Sequence, residues 1–171
     1  MKDQNRQQMI APATLPKPAG WFSVQASIDI SASLALVWSV LVDLEHYSEW
    51  NTFVPSMQSS FHVGSLLTMQ VQMRKGLQVK SVETISAIED QYLLAWKTRF
   101  PGWLLRGERL QVITSIDTDT THYWTREAFT GVLAPILQLL LGRDLRRGFE
   151  AVARDLKARA ESLHAGGNIS S

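Results

Sequence analysis

The chain of 171 residues contains no cysteine. This absence excludes a disulfide framework, a thiolate metal site and a cysteine nucleophile. The chain also lacks an excess of either charge, since it contains 17 basic and 16 acidic residues. A general nucleic-acid binder needs a concentrated basic face, so we expect no nucleic-acid partner.

Long hydrophobic runs and familiar catalytic motifs are missing as well. The longest apolar stretch, Val132–Leu141, contains Pro135 and Gln138 and falls far short of the roughly 20 residues that span a bilayer. We therefore do not expect an integral membrane protein. The sequence has no glycine-rich nucleotide loop and no Gly-x-Ser-x-Gly elbow. No two of the four histidines stand at metal-ligand spacing, so we predict neither a metal nor a cofactor.

The composition is that of one globular domain, with 45% hydrophobic residues and six tryptophans. The first residues carry no signal-peptide pattern, and a cytoplasmic location is the default expectation. Prolines at three positions predict a flexible N-terminal arm over residues 1–20. We expect the domain itself over residues 21–164 and a flexible tail over residues 165–171.

The order of elements predicts an α+β fold. Residues alternate over Trp21–Ile30 as in a half-buried strand, and Ser31 or Ser33 can cap a helix that ends at Val42. A short helical segment is expected over Leu44–Trp50. Turn residues then separate about six further strands joined by hairpins, hence an antiparallel sheet.

The last element is a long helix from Val132 or Pro135 to Leu163, with apolar residues at alternating steps of three and four. Gly142 and Gly148 interrupt it, and they indicate a bend, a close backbone approach or a broken helix. The exposed side of the helix is rich in arginine. Its simplest interpretation is a solvated face, and the alternative is a surface for an acidic partner or a membrane.

Several short segments of the chain form one combined pattern. They are Ala32-Ser33 with Val37-Trp38 and Asp43, Tyr47 with Trp50-Asn51-Thr52-Phe53, Leu94-x-Trp96 with Gly107-Glu108-Arg109, the run Glu127–Pro135, and finally Gly148-Phe149 with Leu156-Lys157. In combination they resemble the START-like, or SRPBCC, superfamily in its polyketide cyclase/dehydrase-like branch. The resemblance runs from Phe22 to Glu161, and Thr52 and Arg109 stand where that pattern usually has Pro and His.

This resemblance implies the helix-grip fold. A curved seven-stranded antiparallel sheet would wrap around the long C-terminal helix, with two short helices after the first strand. Members of the superfamily hold a hydrophobic cavity between the sheet and that helix. Many bind lipids, polyketides or other apolar molecules, and a minority catalyse cyclisation, aromatisation or dehydration there.

Hairpin geometry predicts which side chains face the cavity. Turns centred on Asp90-Gln91, on Gly102-Trp103 and on Thr118 would place Ile85 opposite Trp96, Trp96 opposite Arg109, and Arg109 opposite Glu127. The predicted inner face then comprises Ser81, Glu83, Ile85, Leu94, Trp96, Thr98, Phe100, Arg109, Gln111, Tyr123, Thr125, Glu127 and Phe129. The opposite face carries most of the charges, together with Leu110, Val112 and Trp124.

Ionisable groups on the inner face are the candidate chemical residues. Buried charges must be paired, hydrated or neutralised, so Arg109 and Glu127 are explained most simply as a structural cross-strand pair. Alternatively, Glu83, Arg109, Tyr123 and Glu127 act on a ligand as acids, bases or anion-stabilising groups. The residues predicted to contact the ligand are Trp50, Phe53, Ile85, Trp96, Gln111, Thr125, Phe129, Leu145 and Phe149.

Two functions follow from these residues. The first is a carrier or binding protein for a hydrophobic small molecule, such as a lipid, a polyketide or an aromatic compound. The alternative is a cofactor-independent cyclase, aromatase or dehydratase that works by general acid–base catalysis in the same cavity. The ligand, the reaction and the oligomeric state are not determined by the sequence.

Overall fold

A computed structural model describes residues 21–167 of the chain. It confirms the predicted α+β helix-grip architecture. The predicted arm at residues 1–20 lies outside the described residues, as do residues 168–171 of the predicted tail. In chain order, the elements are β1 (Phe22–Ile30), α1 (Leu34–Val42), a 3-10 turn (Leu44–His46), α2 (Tyr47–Trp50), β2 (Ser56–Gln58), β3 (Leu66–Arg74), β4 (Leu77–Glu89), β5 (Leu93–Thr98), β6 (Arg106–Ser115), β7 (Thr121–Thr130) and α3 (Ala134–Gly167).

The seven strands form one curved antiparallel sheet in the order β1-β7-β6-β5-β4-β3-β2. All three predicted cross-strand pairs are present, from Ile85 opposite Trp96 to Arg109 opposite Glu127. A register shift between Ile85 and Ala87 was not predicted. The extra residue there is Ser86, and such a bulge increases the local bend of a strand.

The predicted inner face is buried over most of its length, and the exception is Phe100, which is 60% exposed. Phe100 lies beyond the end of β5, where the alternation of strand side chains no longer applies. On the opposite face, Val112 is buried. Val112 is paired with Leu93 of β5 on one side and with Trp124 of β7 on the other. These two apolar side chains shield it from solvent.

Helix α3 is continuous through Gly142 and Gly148, and Gly148 marks a close approach of the helix backbone to another side chain. A Cβ atom at this position would overlap the ring of Phe53, whereas Gly142 has room for one. Phe53 is held there by its neighbours in the chain. The backbone N–H and the hydroxyl of Thr52 both donate to Asp155 Oδ2 of α3, at 2.9 and 2.6 Å. A proline at position 52 would have no N–H to donate.

The ends of the helices follow local chemistry. Ser33 is the N-cap of α1, where its hydroxyl accepts a bond from the N–H of Leu36 at 3.4 Å. Helix α3 begins at Ala134, between the two predicted starts, and continues past Leu163 to Gly167. Its C-terminal glycines thus extend the helix beyond the predicted limit, since a glycine disfavours a helix by only about 1 kcal/mol.

Substituting the two interior glycines of α3, Gly142 and Gly148, should have opposite effects. We expect Gly148→Ala to lower the free energy of unfolding by about 1–3 kcal/mol, because the new methyl group displaces the Phe53 ring. Gly142→Ala should raise it by up to about 1 kcal/mol through helix propensity. Urea unfolding of both variants measures the difference, and equal effects would contradict the close approach at Gly148.

Candidate functional site

A cavity of about 180 Å³ lies between the sheet and the N-terminal half of α3. Most of its lining is apolar, and five ionisable or hydroxyl-bearing strand residues interrupt it. Phe100 lines the cavity and is exposed, and five other apolar lining residues are partly exposed, so the mouth lies beside them. These five are Met73, Val79, Leu105, Leu137 and Leu141. The lining residues are Phe53, Val54, Met69, Val71, Met73, Val79, Ser81, Glu83, Trp96, Thr98, Phe100, Leu105, Arg109, Glu127, Phe129, Leu137, Leu141, Leu145 and Phe149.

The guanidinium of Arg109 lies in the interior, although the side chain is charged. Its Cζ atom stands 4.1 Å from the centroid of the Phe149 ring and 5.4 Å from that of Trp96. Its Nε atom donates to Thr125 Oγ1 at 3.3 Å. Among the described residues, Arg109 forms no ion pair within 4.0 Å with either Glu83 or Glu127. Arg109 and Glu127 are therefore opposite each other on neighbouring strands, but their side chains form no salt bridge.

Glu83 reaches the cavity from β4. Its Oε1 atom accepts a bond from the Ser81 hydroxyl at 2.9 Å. Its Oε2 atom is buried and has no hydrogen-bond partner among residues 21–167. Burial raises the pKa of Glu83, and the bond from Ser81 and the charge of Arg109 oppose that rise.

Glu127 reaches the same wall from β7. No hydrogen bond to its carboxyl group is present within residues 21–167. The carboxyl fits there because the neighbouring strand carries Gly107, where a Cβ atom would lie 3.0 Å from Glu127 Oε1. Burial, and next the charge of Glu83, raise the pKa of Glu127 to about 8, although Arg109 opposes the rise. At neutral pH this group is therefore mainly a neutral acid that can donate a proton.

Tyr123 belongs to a polar layer behind the cavity wall. Its hydroxyl donates to Gln111 Oε1 at 2.6 Å, and burial raises the pKa of this tyrosine. Gln111 and Thr125 are buried in the same layer. The Nε2 atom of Gln111 has no hydrogen-bond partner in the described part of the chain. This layer supports Arg109 from behind, through the bond to Thr125.

The structure brings most of the predicted site residues to one cavity. Of the four candidate chemical groups, Glu83, Arg109 and Glu127 line it, and Tyr123 does not. The predicted ligand contacts that line it are Phe53, Trp96, Phe129, Leu145 and Phe149. Those behind the lining are Trp50, Ile85, Gln111 and Thr125. Trp50 packs instead against Tyr47, with ring centroids 4.8 Å apart.

The sequence analysis did not predict that β3 contributes an apolar wall to the cavity. Met69, Val71 and Met73 alternate along that strand and face the cavity. The signal was available in the sequence, because Met69 pairs with Ser81, which belongs to the predicted inner face. Continuing the register one hairpin towards the N-terminus would have identified these residues.

Within residues 21–167, no group of three or more His, Asp and Glu side chains is placed to hold a metal ion. No helix in the same range is long and apolar enough to cross a membrane.

A family model described as "Polyketide cyclase / dehydrase and lipid transport" matches residues 22–161. A curated relative is 23% identical over 89% of this chain and 93% of its own length. It is named oxopyrrolidines biosynthesis cluster protein O and comes from Penicillium oxalicum.

Similar solved structures support the same fold. The Zhui aromatase/cyclase from Streptomyces sp. R1128 superposes with a TM-score of 0.68 at 13% identity, over 82% of this chain and 93% of that one. A START superfamily protein from Mycobacterium smegmatis gives a TM-score of 0.63 at 19% identity, over 82% and 98% of the two chains. At such identities, the likeness establishes the fold alone.

The raised pKa of Glu127 makes stability depend on pH. The unfolded chain loses this proton near its ordinary pKa of 4.5, whereas the folded chain keeps it until about pH 8. Stability should therefore fall as pH rises through this window, by a few kcal/mol. Glu127→Gln should flatten the fall, and Glu150→Gln on the exposed side of α3 should not. Parallel curves of unfolding free energy against pH for wild type and Glu127→Gln would contradict a buried acid here.

Proposed function

Because the chain belongs to the polyketide cyclase/dehydrase and lipid transport family, we propose that it binds a compact hydrophobic molecule with one polar group. It would act in the cytoplasm as a carrier or binding protein, without a cofactor. The observation that carries this proposal is the composition of the cavity. An apolar enclosure with a few polar groups clustered on one wall is the usual form of a small-molecule site.

The volume of the cavity limits the ligand. A cavity of roughly 150 Å³ in another protein holds one benzene molecule. With about 180 Å³, this cavity fits a ligand of one or two rings or a short branched chain. A longer acyl or polyketide chain would have to extend past Phe100 and Leu141 through the mouth.

The polar wall favours a ligand with an oxygen atom that accepts hydrogen bonds. A neutral Glu127 can donate to a carbonyl or hydroxyl oxygen, and Arg109 adds positive charge beside it. Both partners of such a bond would be buried. A purely apolar ligand would leave these groups without partners, which costs about 1–3 kcal/mol for each one.

A second candidate function is acid–base catalysis on such a ligand, and the protonated carboxyl of Glu127 favours it. In a dehydration, Glu83 would remove a proton from the carbon next to a carbonyl group, and Arg109 would stabilise the resulting oxyanion. Glu127 would protonate the departing hydroxyl, so that one water molecule leaves. The Streptomyces protein with the same fold is named an aromatase/cyclase, which supports this candidate by analogy only.

Filling the cavity should abolish ligand binding. Leu141→Trp adds a large ring at the lining of α3, and we expect native mass spectrometry to show loss of any small molecule that co-purifies with the wild type. Leu163→Trp places the same ring on an exposed part of the same helix and is the control. Retention of the molecule by Leu141→Trp would contradict binding in this cavity.

Turnover separates the two candidate functions. If the protein is an enzyme, Glu127→Gln should reduce the rate on a polyketone substrate by about 10²–10⁴-fold, because the amide cannot donate the required proton. Glu150→Gln is the matched control. Substrate binding, followed by tryptophan fluorescence, should persist in both variants. Binding without turnover by the wild type would leave the carrier function as the conclusion.

A further inference from the structure

The end of the molecule that contains the mouth of the cavity exposes a cluster of large apolar side chains. Leu139 is 84% exposed and Trp103 is 71% exposed, although such side chains are normally buried. We call this cluster the apolar tip. Its members are Phe100, Trp103, Val132, Ile136, Leu139 and Leu140.

Backbone hydrogen bonds hold the two parts of the tip together. The N–H of Val132 donates to the carbonyl of Trp103 at 3.1 Å, and that of Leu133 donates to the carbonyl of Leu104 at 3.0 Å. Gly131 allows this contact, since a Cβ atom there would lie 2.7 Å from Leu104 O. The β5–β6 loop and the start of α3 therefore form one fixed surface.

Exposed arginines lie next to the tip, along α3 and at both ends of the β5–β6 loop. Arg143, Arg146 and Arg147 follow Leu139 and Leu140 within the next two turns of α3, and Arg99 and Arg106 flank the loop. None of these five forms an ion pair with an acidic side chain within residues 21–167. The acidic residue in this stretch of α3 is Asp144, which is buried and paired with Arg74 at 3.4 Å.

We propose that the apolar tip inserts into the surface of an anionic lipid bilayer, with the neighbouring arginines on the lipid headgroups. A bilayer fits better than a protein partner because it needs no matched acidic side chains. It also accepts aliphatic and aromatic side chains in any arrangement. Aromatic and aliphatic residues beside a basic belt are the usual composition of an interfacial anchor.

Contact with a bilayer is a property separate from the proposed ligand binding. It would, however, determine where the mouth of the cavity opens. Phe100, Leu137 and Leu141 line the mouth and lie among the residues of the tip. With the tip inserted, the mouth opens towards the hydrocarbon boundary of the bilayer. A hydrophobic molecule could then pass between cavity and membrane without crossing water.

The absence of cysteine makes a direct test available. Leu139→Cys in the full chain gives a single thiol that can carry an environment-sensitive nitrobenzoxadiazole dye. Ser115→Cys labels the opposite end of β6 and is the control. We expect vesicles of phosphatidylcholine with phosphatidylserine to shift the emission of the Leu139 dye to the blue and to leave the Ser115 dye unchanged.

The contribution of the arginines is tested by charge-removing substitutions and by added salt in the same vesicle-binding measurement. Arg146→Gln with Arg147→Gln should weaken binding about thirtyfold, as expected for two charges near an anionic surface, and added salt should weaken it further. Equal binding to pure phosphatidylcholine would overturn the role given to the arginines. A dye insensitive to both kinds of vesicle would overturn the proposal.

Two further outcomes would show that something other than a bilayer covers the apolar tip. Either outcome would overturn the proposal. A blue emission in buffer at every protein concentration would mean that the chain's own N-terminal residues cover the tip. A blue shift that grows with protein concentration, without vesicles, would mean that a second copy covers it.

Discussion

The buried guanidinium of Arg109 is the constraint on which the site depends. One positive charge lies between two aromatic rings and close to two carboxyl groups, in an interior that is otherwise mostly apolar. Burial raises the pKa of both carboxyl groups, the ionisation of either opposes that of the other, and a single cation cannot compensate both. One acid therefore keeps its proton at neutral pH. The polar layer of Thr125, Gln111 and Tyr123 holds the arginine in place from behind.

The shape of the cavity depends on how α3 meets the segment after α2. Thr52 is bonded to Asp155 of α3, and Phe53 packs against the bare backbone at Gly148. This contact brings the middle of the helix close to the segment that carries Phe53. Nearer its N-terminus, α3 contributes Leu137, Leu141 and Leu145 to the lining of the cavity. The same part of α3 has Leu137 and Leu141 on its inner side and Leu139 and Leu140 on its outer side.

The proposed membrane-facing mouth and the buried acid would together suit a molecule that moves between apolar surroundings. Its hydrocarbon part would stay among methyl groups and rings throughout. Its oxygen would exchange the interface of a bilayer for the protonated carboxyl of Glu127. The two proposed properties, ligand binding and bilayer contact, are carried by different residues of α3, which is why they can be tested separately.

The alternation of strand residues and the turn signals were sufficient to predict the α+β fold, the three cross-strand pairs and the inward position of Glu83, Arg109 and Glu127. A period of two assigns every residue of a paired strand to a face once the turn is known. Tertiary structure alone decided the rest. It placed Trp50 and Tyr123 behind the lining, left Arg109 without a short ion pair, and allowed Phe53 to contact Gly148. Those outcomes depend on the distance and angle between α3 and the sheet, which no periodicity within a single segment encodes.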